Sequence, residues 1–323
     1  MKRTSRLLII TAVCMAFFSV AAANLSAGTI FASLGGQHGV STNNGALVTI
    51  NPTNGAVTVI GVPSGGTAIS GLTFDTSGGL WGSTQNGGGV LPPPNLTDSD
   101  LIQINPLTGA LISSVAITTG GTPLSIADLA TQPGTNTIFG IQSPNDANFT
   151  GQANLYTIST TGAATLVGNT GVFFGAIAFA PGGTLYMTSA DLGLNEDDGE
   201  AYVCPVTDPD QSNCALSTLD PATAATLTSV QTSDFYSALG ISNSGVIWAA
   251  TGAGDLGPGT GQFFAGVSTL NPTTGVATFI GNTGTNFVGD IAFDPVPEPA
   301  SLVLSGIGLA ALLARRFRWS VKR

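Results

Sequence analysis

Residues 289–299 read "GDIAFDPVPEP", and the fold turns on the first half of that stretch. Four earlier segments resemble it: "GLTFDTSGGLWGS" (71–83), "DLATQPGTNTIFG" (128–140), "AIAFAPGGTLYMT" (176–188) and "ALGISNSGVIWAA" (238–250). In each, a short apolar strand runs through a Gly- or Ser-rich turn into a second strand that carries an aromatic residue. After "DIAFD" (290–294) no second strand follows. Its counterpart lies at the other end of the chain, where "GTIFAS" (28–33) has the aromatic, Phe31, but no first strand before it. Joined, the two ends complete one hairpin, and a row of similar sheets closes into a ring without open ends.

A second hairpin fills the space between these elements. It recurs as "LVTINPTNGAVTVIG" (47–61), "LIQINPLTGALISSV" (101–115), "LYTISTTGAATLVG" (155–168), "LSTLDPATAATLTSV" (216–230) and "VSTLNPTTGVATFIG" (267–281). Asn51-Pro52, Asn105-Pro106, Asp220-Pro221 and Asn271-Pro272 set an Asx side chain before a proline of fixed φ, and Gly55, Gly109, Gly162 and Gly275 are placed to supply positive φ. The repeat returns every 51 to 61 residues, too long for one coil of a β-solenoid and suited to a four-stranded blade. Small residues (Thr73, Ala130, Ala178, Gly240, Ala292) mark the first strand, where strands crowd an axis. Aromatics (Phe31, Trp81, Phe139, Tyr186, Trp248) mark the second, where they fill the space between blades. Five matching positions assign Trp81 and Trp248 to core packing before sugar stacking. The expected fold is all-β, a five-bladed β-propeller over residues 24–295 with about four strands per blade. The hairpins also resemble those of NHL-type and gluconolactonase-like propellers, a short likeness that implies fold rather than activity.

Charge is distributed unusually. Of 323 residues 44 are glycine and only 8% are charged, and all eight Lys and Arg lie at the termini: Lys2, Arg3 and Arg6, then Arg315, Arg316, Arg318, Lys322 and Arg323. The 18 acidic residues all fall between them. Such a body repels phosphate backbones and anionic headgroups and has no cation to neutralise them, which argues against a nucleic-acid partner.

The basic ends belong to two terminal signals. Lys2, Arg3 and Arg6, the apolar run 7–20 and Ala21-Ala22-Ala23 form the three parts of a secretory signal peptide, residues 1–23, with removal expected after Ala23. A retained membrane helix is the alternative, but the apolar run is short for a span of about 20 residues. At the far end, residues 300–314 are mostly apolar and cover roughly 22 Å as a helix. The Arg cluster and Trp319 follow at once, as at a short transmembrane helix whose basic end stays cytoplasmic. Pro297-Glu298-Pro299, an apolar helix and a terminal Arg cluster, together residues 296–323, resemble the PEP-CTERM sorting signal of Gram-negative bacteria. That resemblance implies an exosortase-type membrane protease as partner. The chain would be held on the periplasmic side of the inner membrane, cut near the motif, and delivered to the cell surface or an exopolysaccharide matrix. The alternative is a tail anchor that is never cut.

Four constellations are candidates for chemistry. Cys204 and Cys214, in "CPVTDPDQSNC", are the cysteines left after signal removal and read as a disulfide stapling a loop in an oxidising compartment, against two unpaired thiols. Asp191, Glu196, Asp197, Asp198 and Glu200, near Asp208 and Asp210, offer oxygen donors for Ca²⁺, although their spacing lacks the glycine and terminal glutamate of an EF-hand; a solvated acidic loop is the plainer reading. Asp75 and Asp294 share one repeat position and form the best carboxylate pair for a glycoside hydrolase or lyase, yet each also opens a turn, where Asp caps local backbone groups. His38, the single histidine, lies in a polar loop, no Ser occupies a nucleophile elbow, and the Gly-rich runs lack a P-loop lysine. The expectation is therefore a secreted, non-enzymatic binding or structural protein. Its partner would be an exopolysaccharide or another surface protein.

Overall fold

The computed structural model describes residues 28–35, 45–63, 67–85, 98–142, 153–172, 175–189, 214–234, 236–251, 265–285 and 287–295. In chain order the strands are β1 (Ile30–Ser33), β2 (Leu47–Ile50), β3 (Val57–Gly61), β4 (Ala68–Phe74), β5 (Leu80–Gln85), β6 (Asp100–Ile104) and β7 (Leu111–Ala116). A two-residue hairpin follows, β8 (Thr118–Thr119) and β9 (Thr122–Pro123), then β10 (Ile126–Thr131), β11 (Ile138–Gln142), β12 (Asn154–Ile158) and β13 (Ala164–Asn169). The remainder are β14 (Ile177–Phe179), β15 (Leu185–Ser189), β16 (Ala215–Leu219), β17 (Thr226–Gln231), β18 (Tyr236–Ile241), β19 (Ile247–Thr251), β20 (Gly266–Leu270), β21 (Ala277–Asn282) and β22 (Asp290–Phe293).

These strands form five four-stranded antiparallel sheets, each a meander. Four sheets are continuous in sequence: β4 to β7, β10 to β13, β14 to β17 and β18 to β21. The remaining sheet is composite and, since it holds β1, counts as the first blade, with the other four following as the second to fifth in chain order; its strand order is β22-β1-β2-β3, and Ile30, Phe31, Ala32 and Ser33 pair with Phe293, Ala292, Ile291 and Asp290. The ring closure expected from the repeat is therefore present. The innermost strands β22, β4, β10, β14 and β18 pack against one another in that order around the axis, and β18 returns to β22.

The core is divided among the seams between blades. Five buried apolar clusters each draw on two neighbouring sheets, such as Trp248, Val267 and Ala238 of one blade with Ile30, Val48 and Ile291 of the composite one. The aromatic of each second strand reaches into the seam to the next blade. Phe31 meets Phe74 edge-on at 5.3 Å, Phe139 meets Phe179 at 5.3 Å, and Trp248 meets Phe293 at 6.3 Å. Small residues on the inner strands let those strands approach: a Cβ on Gly240 would lie 2.6 Å from the carbonyl oxygen of Ile291 on the next blade.

At the rim, the turn of each outer hairpin packs against the end of the preceding blade's outer strand. The turn glycine Gly275 (φ 70°) sits so close to Gln231 that an added Cβ would be 1.9 Å from its carbonyl oxygen. The equivalent residue of the fourth blade is Ala224, which adopts φ 65° despite its Cβ and is fully buried.

The meander also sorts the connections. Tight turns join first to second and third to fourth strands on one face, and both ends of the body, Thr29 and Asp294, emerge there, joined by a backbone hydrogen bond of 3.3 Å. The strand ends that flank residues 36–44, 86–97, 143–152, 190–213 and 252–264 all lie on the opposite face. Among the described residues there are no helices, and none long and apolar enough to cross a membrane; the expected terminal helices, residues 7–20 and 300–314, lie outside them.

Candidate functional site

The innermost strand of each blade has one edge bonded to its neighbour strand and one turned to the axis. Backbone N–H groups on that free edge are buried in a crowded centre and need acceptors. Five of them stand at one repeat position: Leu72, Leu129, Ile177, Leu239 and Ile291. The residues just before them are Gly71, Asp128, Ala176, Ala238 and Asp290, so two carboxyls and three small residues share the level.

Those two carboxyls accept all five bonds. Asp290 Oδ2 takes the N–H of Leu72 at 2.6 Å, and its Oδ1 takes those of Ile291 at 2.7 Å and Leu239 at 3.4 Å. Asp128 Oδ1 takes Leu129 at 2.7 Å and Oδ2 takes Ile177 at 2.6 Å. Asp128 and Asp290 are also hydrogen-bonded to each other through their side chains. They belong to non-adjacent blades, and the intervening strand carries Gly71, where a Cβ would stand 2.6 Å from the Leu129 nitrogen.

Burial determines the protonation of this pair. Asp128 is 1% and Asp290 0% exposed, and no Lys or Arg exists anywhere in the body. Burial pushes the Asp128 carboxyl well above the usual carboxylate range, and the adjacent Asp290 charge pushes it further. Burial also raises Asp290, while the bonds from Asp128 and from the N–H groups of Leu72, Ile291 and Leu239 oppose that rise. Both carboxyls are thus driven toward protonation as a pair, and one proton shared between them is the usual solution when two carboxyls meet at one dry site.

Asp75 sits at the opposite end of β4 and is only 8% exposed. Its Oδ1 accepts from Ser77 N (2.8 Å), Ser77 Oγ (2.6 Å) and Gly79 N (2.8 Å), and its Oδ2 accepts from Trp81 Nε1 (2.9 Å). Burial raises its carboxyl, but the bonds from Ser77, Trp81 and Gly79 together outweigh burial and hold it below the usual value. Asp294 follows β22, half-buried on the same tight-turn face, and its carbonyl accepts from Asn243 Nδ2 at 3.3 Å. Neither side chain is bonded to the other.

Cys214 is 5% exposed and disulfide-bonded. Cys204, His38 and the calcium candidates Asp191, Glu196, Asp197, Asp198 and Glu200 lie outside the described residues, as do Pro297, Glu298 and Pro299. Among the described residues no three His, Cys, Asp or Glu side chains converge to hold a metal. The axial pair has no motif of its own, since the small residues that mark these strands in the sequence stand two positions further along. The signal was present: two aspartates in otherwise apolar, buried strands of a chain without internal cations.

Comparison with known proteins bears on the C-terminus. Residues 295–318 match the PEP-CTERM protein-sorting motif, a signal for export and surface sorting in Gram-negative bacteria and of the kind that exosortases recognise. A search of curated proteins found no match. Among solved structures, the chain is similar to hydrazine synthase of Kuenenia stuttgartiensis at 15% identity over 68% of this chain and 49% of that one, TM-score 0.38. A Bacteroides caccae protein of unknown function is similar at 12% identity, over 82% and 98% of the two chains, TM-score 0.46. A gluconolactonase of Xanthomonas campestris is similar at 13% identity, over 72% and 64%, TM-score 0.37. The chain thus spans about half of the hydrazine synthase chain. Likeness at these identities and TM-scores says nothing of activity.

Proposed function

We propose that this surface-sorted propeller is a non-enzymatic binding or structural protein of an extracellular polysaccharide layer, and that an exosortase-type protease removes its sorting signal. Its partner is a glycan or another surface protein, met on the face where the strand ends flanking the five long connections lie. Both ends of the folded body emerge on the other face, so a chain held by its C-terminal signal turns the face that carries those strand ends away from its attachment. Calcium bound by Asp191, Glu196, Asp197, Asp198 and Glu200 would bridge an acidic protein to an acidic polymer.

The observation that carries the non-enzymatic reading is how the carboxyls are used. Hydrolysis or elimination on a polysaccharide needs a carboxylate within reach of the scissile bond. Asp75 has both oxygens committed to its own turn and to Trp81, which leaves the half-buried Asp294 without a second carboxylate from the candidate pair, and the axial pair is buried with its oxygens committed to backbone donors. The test is to incubate the processed protein with a panel of neutral and acidic polysaccharides, with and without Ca²⁺, and to measure both retention and product release. Retention without turnover is expected. Turnover that disappears in Asp75→Asn or Asp294→Asn would replace this reading with a hydrolase or lyase.

A further inference from the structure

We propose that the Asp128–Asp290 pair is a proton-held clasp: while it shares a proton it ties all five inner strands together, and when that proton leaves it releases the C-terminal strand β22.

The geometry assigns the tie. Asp290 bonds its own strand, the second blade through Leu72 and the fifth through Leu239. Asp128 bonds its own strand and the fourth blade through Ile177, and its bond to Asp290 joins the two halves. No other described side chain pair touches every blade. The proton is essential to this arrangement because two carboxylates at one site, with no cation in the body, repel at low dielectric.

Among the described residues no other acid or base competes for that role. On the inner strands β4, β10, β14, β18 and β22 the titratable side chains are Asp128, Asp290 and Tyr236, and the Tyr236 phenol is engaged with Ser233 and Ser268. The second strands β1, β5, β11, β15 and β19 contribute one titratable group, Tyr186, which is packed in the seam between the fourth and fifth blades. Asp75 is at the far end of β4.

The release falls on β22 for a topological reason. Every other inner strand is covalently continued at both ends within the ring, whereas β22 is the last strand of the body and is held to β1 by four residue pairs. Opening it uncovers Asp290 to water, where a carboxyl ionises freely. The strand that opens is the one leading directly into the sorting signal.

Hydrogen exchange on the processed protein tests the clasp, using peptic peptides because the body offers trypsin no site. After correction for the intrinsic pH dependence of exchange, protection across 287–294 should fall between pH 5.5 and 8.5, at up to about tenfold per pH unit for one proton released on opening. Peptides from β10 and β14 should keep their protection, and Asp128→Asn, which cannot ionise, should abolish the pH dependence at β22. Protection of β22 that is independent of pH, a loss shared equally by all inner strands, or an unchanged pH response in Asp128→Asn would overturn the proposal. If that variant fails to fold, the wild-type comparison of β22 with β10 and β14 decides alone.

Discussion

Phe31 and Ala292 stand directly opposite each other in the β1–β22 ladder, so the first and last strands of the body are neighbours in one sheet. Phe31 also stacks edge-on against Phe74 of the next blade, and it therefore supports both the composite sheet and a seam. Phe31→Ala should destabilise the protein by about 3–5 kcal/mol, the range for removing a buried phenyl group. Chemical denaturation of the processed protein checks this. Removing residues 289–323 should abolish the cooperative transition and cause aggregation, because β1 becomes an open edge, whereas removing 297–323 should leave the transition intact.

Two outer-hairpin turns give opposite expectations from one geometry. Gly275→Ala would place a Cβ at positive φ and onto the Gln231 carbonyl, and should cost more than about 2 kcal/mol. Ala224→Gly relieves about 1–2 kcal/mol of left-handed strain but removes a buried methyl worth about 0.8 kcal/mol. Its net effect should stay within about 1 kcal/mol of the wild type. Paired unfolding curves of the two variants read both outcomes.

Asp75→Ala leaves the Trp81 indole N–H and the Ser77 and Gly79 amides without their acceptor. A loss of about 2–3 kcal/mol is expected, since a carboxylate accepting several such bonds is among the stronger local anchors. Trp81 fluorescence should shift to the red in the folded variant as water reaches the indole. Asp75→Asn should lose less, because it keeps one acceptor oxygen.

Stability should respond to pH with two opposite signs. The axial carboxyls are raised as a coupled pair, so their contribution is fully present below the unfolded carboxyl value of about 3.9 and is lost as pH rises and the pair gives up its proton. Between pH 5 and 7 the slope should approach about 1.4 kcal/mol per unit for each proton held only in the folded state. Asp75 is lowered by its bonds, so its contribution is present above the unfolded value and is lost on acidification. Thermal melts from pH 3 to 9 should show a maximum on the acidic side of neutrality, and Asp128→Asn should flatten the alkaline limb.

The blades were legible because a propeller repeats its instructions. Asn-Pro and Gly at fixed places in five hairpins specify turns through φ alone, and the turn glycines Gly55, Gly109, Gly162 and Gly275 all have positive φ. Even the closure could be read, since "DIAFD" and "GTIFAS" are two halves of a repeat that is whole elsewhere. Ala224 departs from the pattern in residue type and still follows it in φ, because its turn is held by the neighbouring blade.

The carboxyl pair belonged to the other kind of information. Asp75 and Asp294 were conspicuous because they open turns, and the turn of Asp75 explains its carboxylate in full. Asp128 and Asp290 are far apart in the chain and not even in adjacent blades, so nothing local marks them as partners. Sequence alone determined the strands, their turns, the ring and the sorting signal, since each rests on backbone preferences and on patterns a few residues long. Only the tertiary structure decided that five axial N–H groups meet two carboxyls at one point, because convergence on an axis is a property of the closed ring and of no single blade.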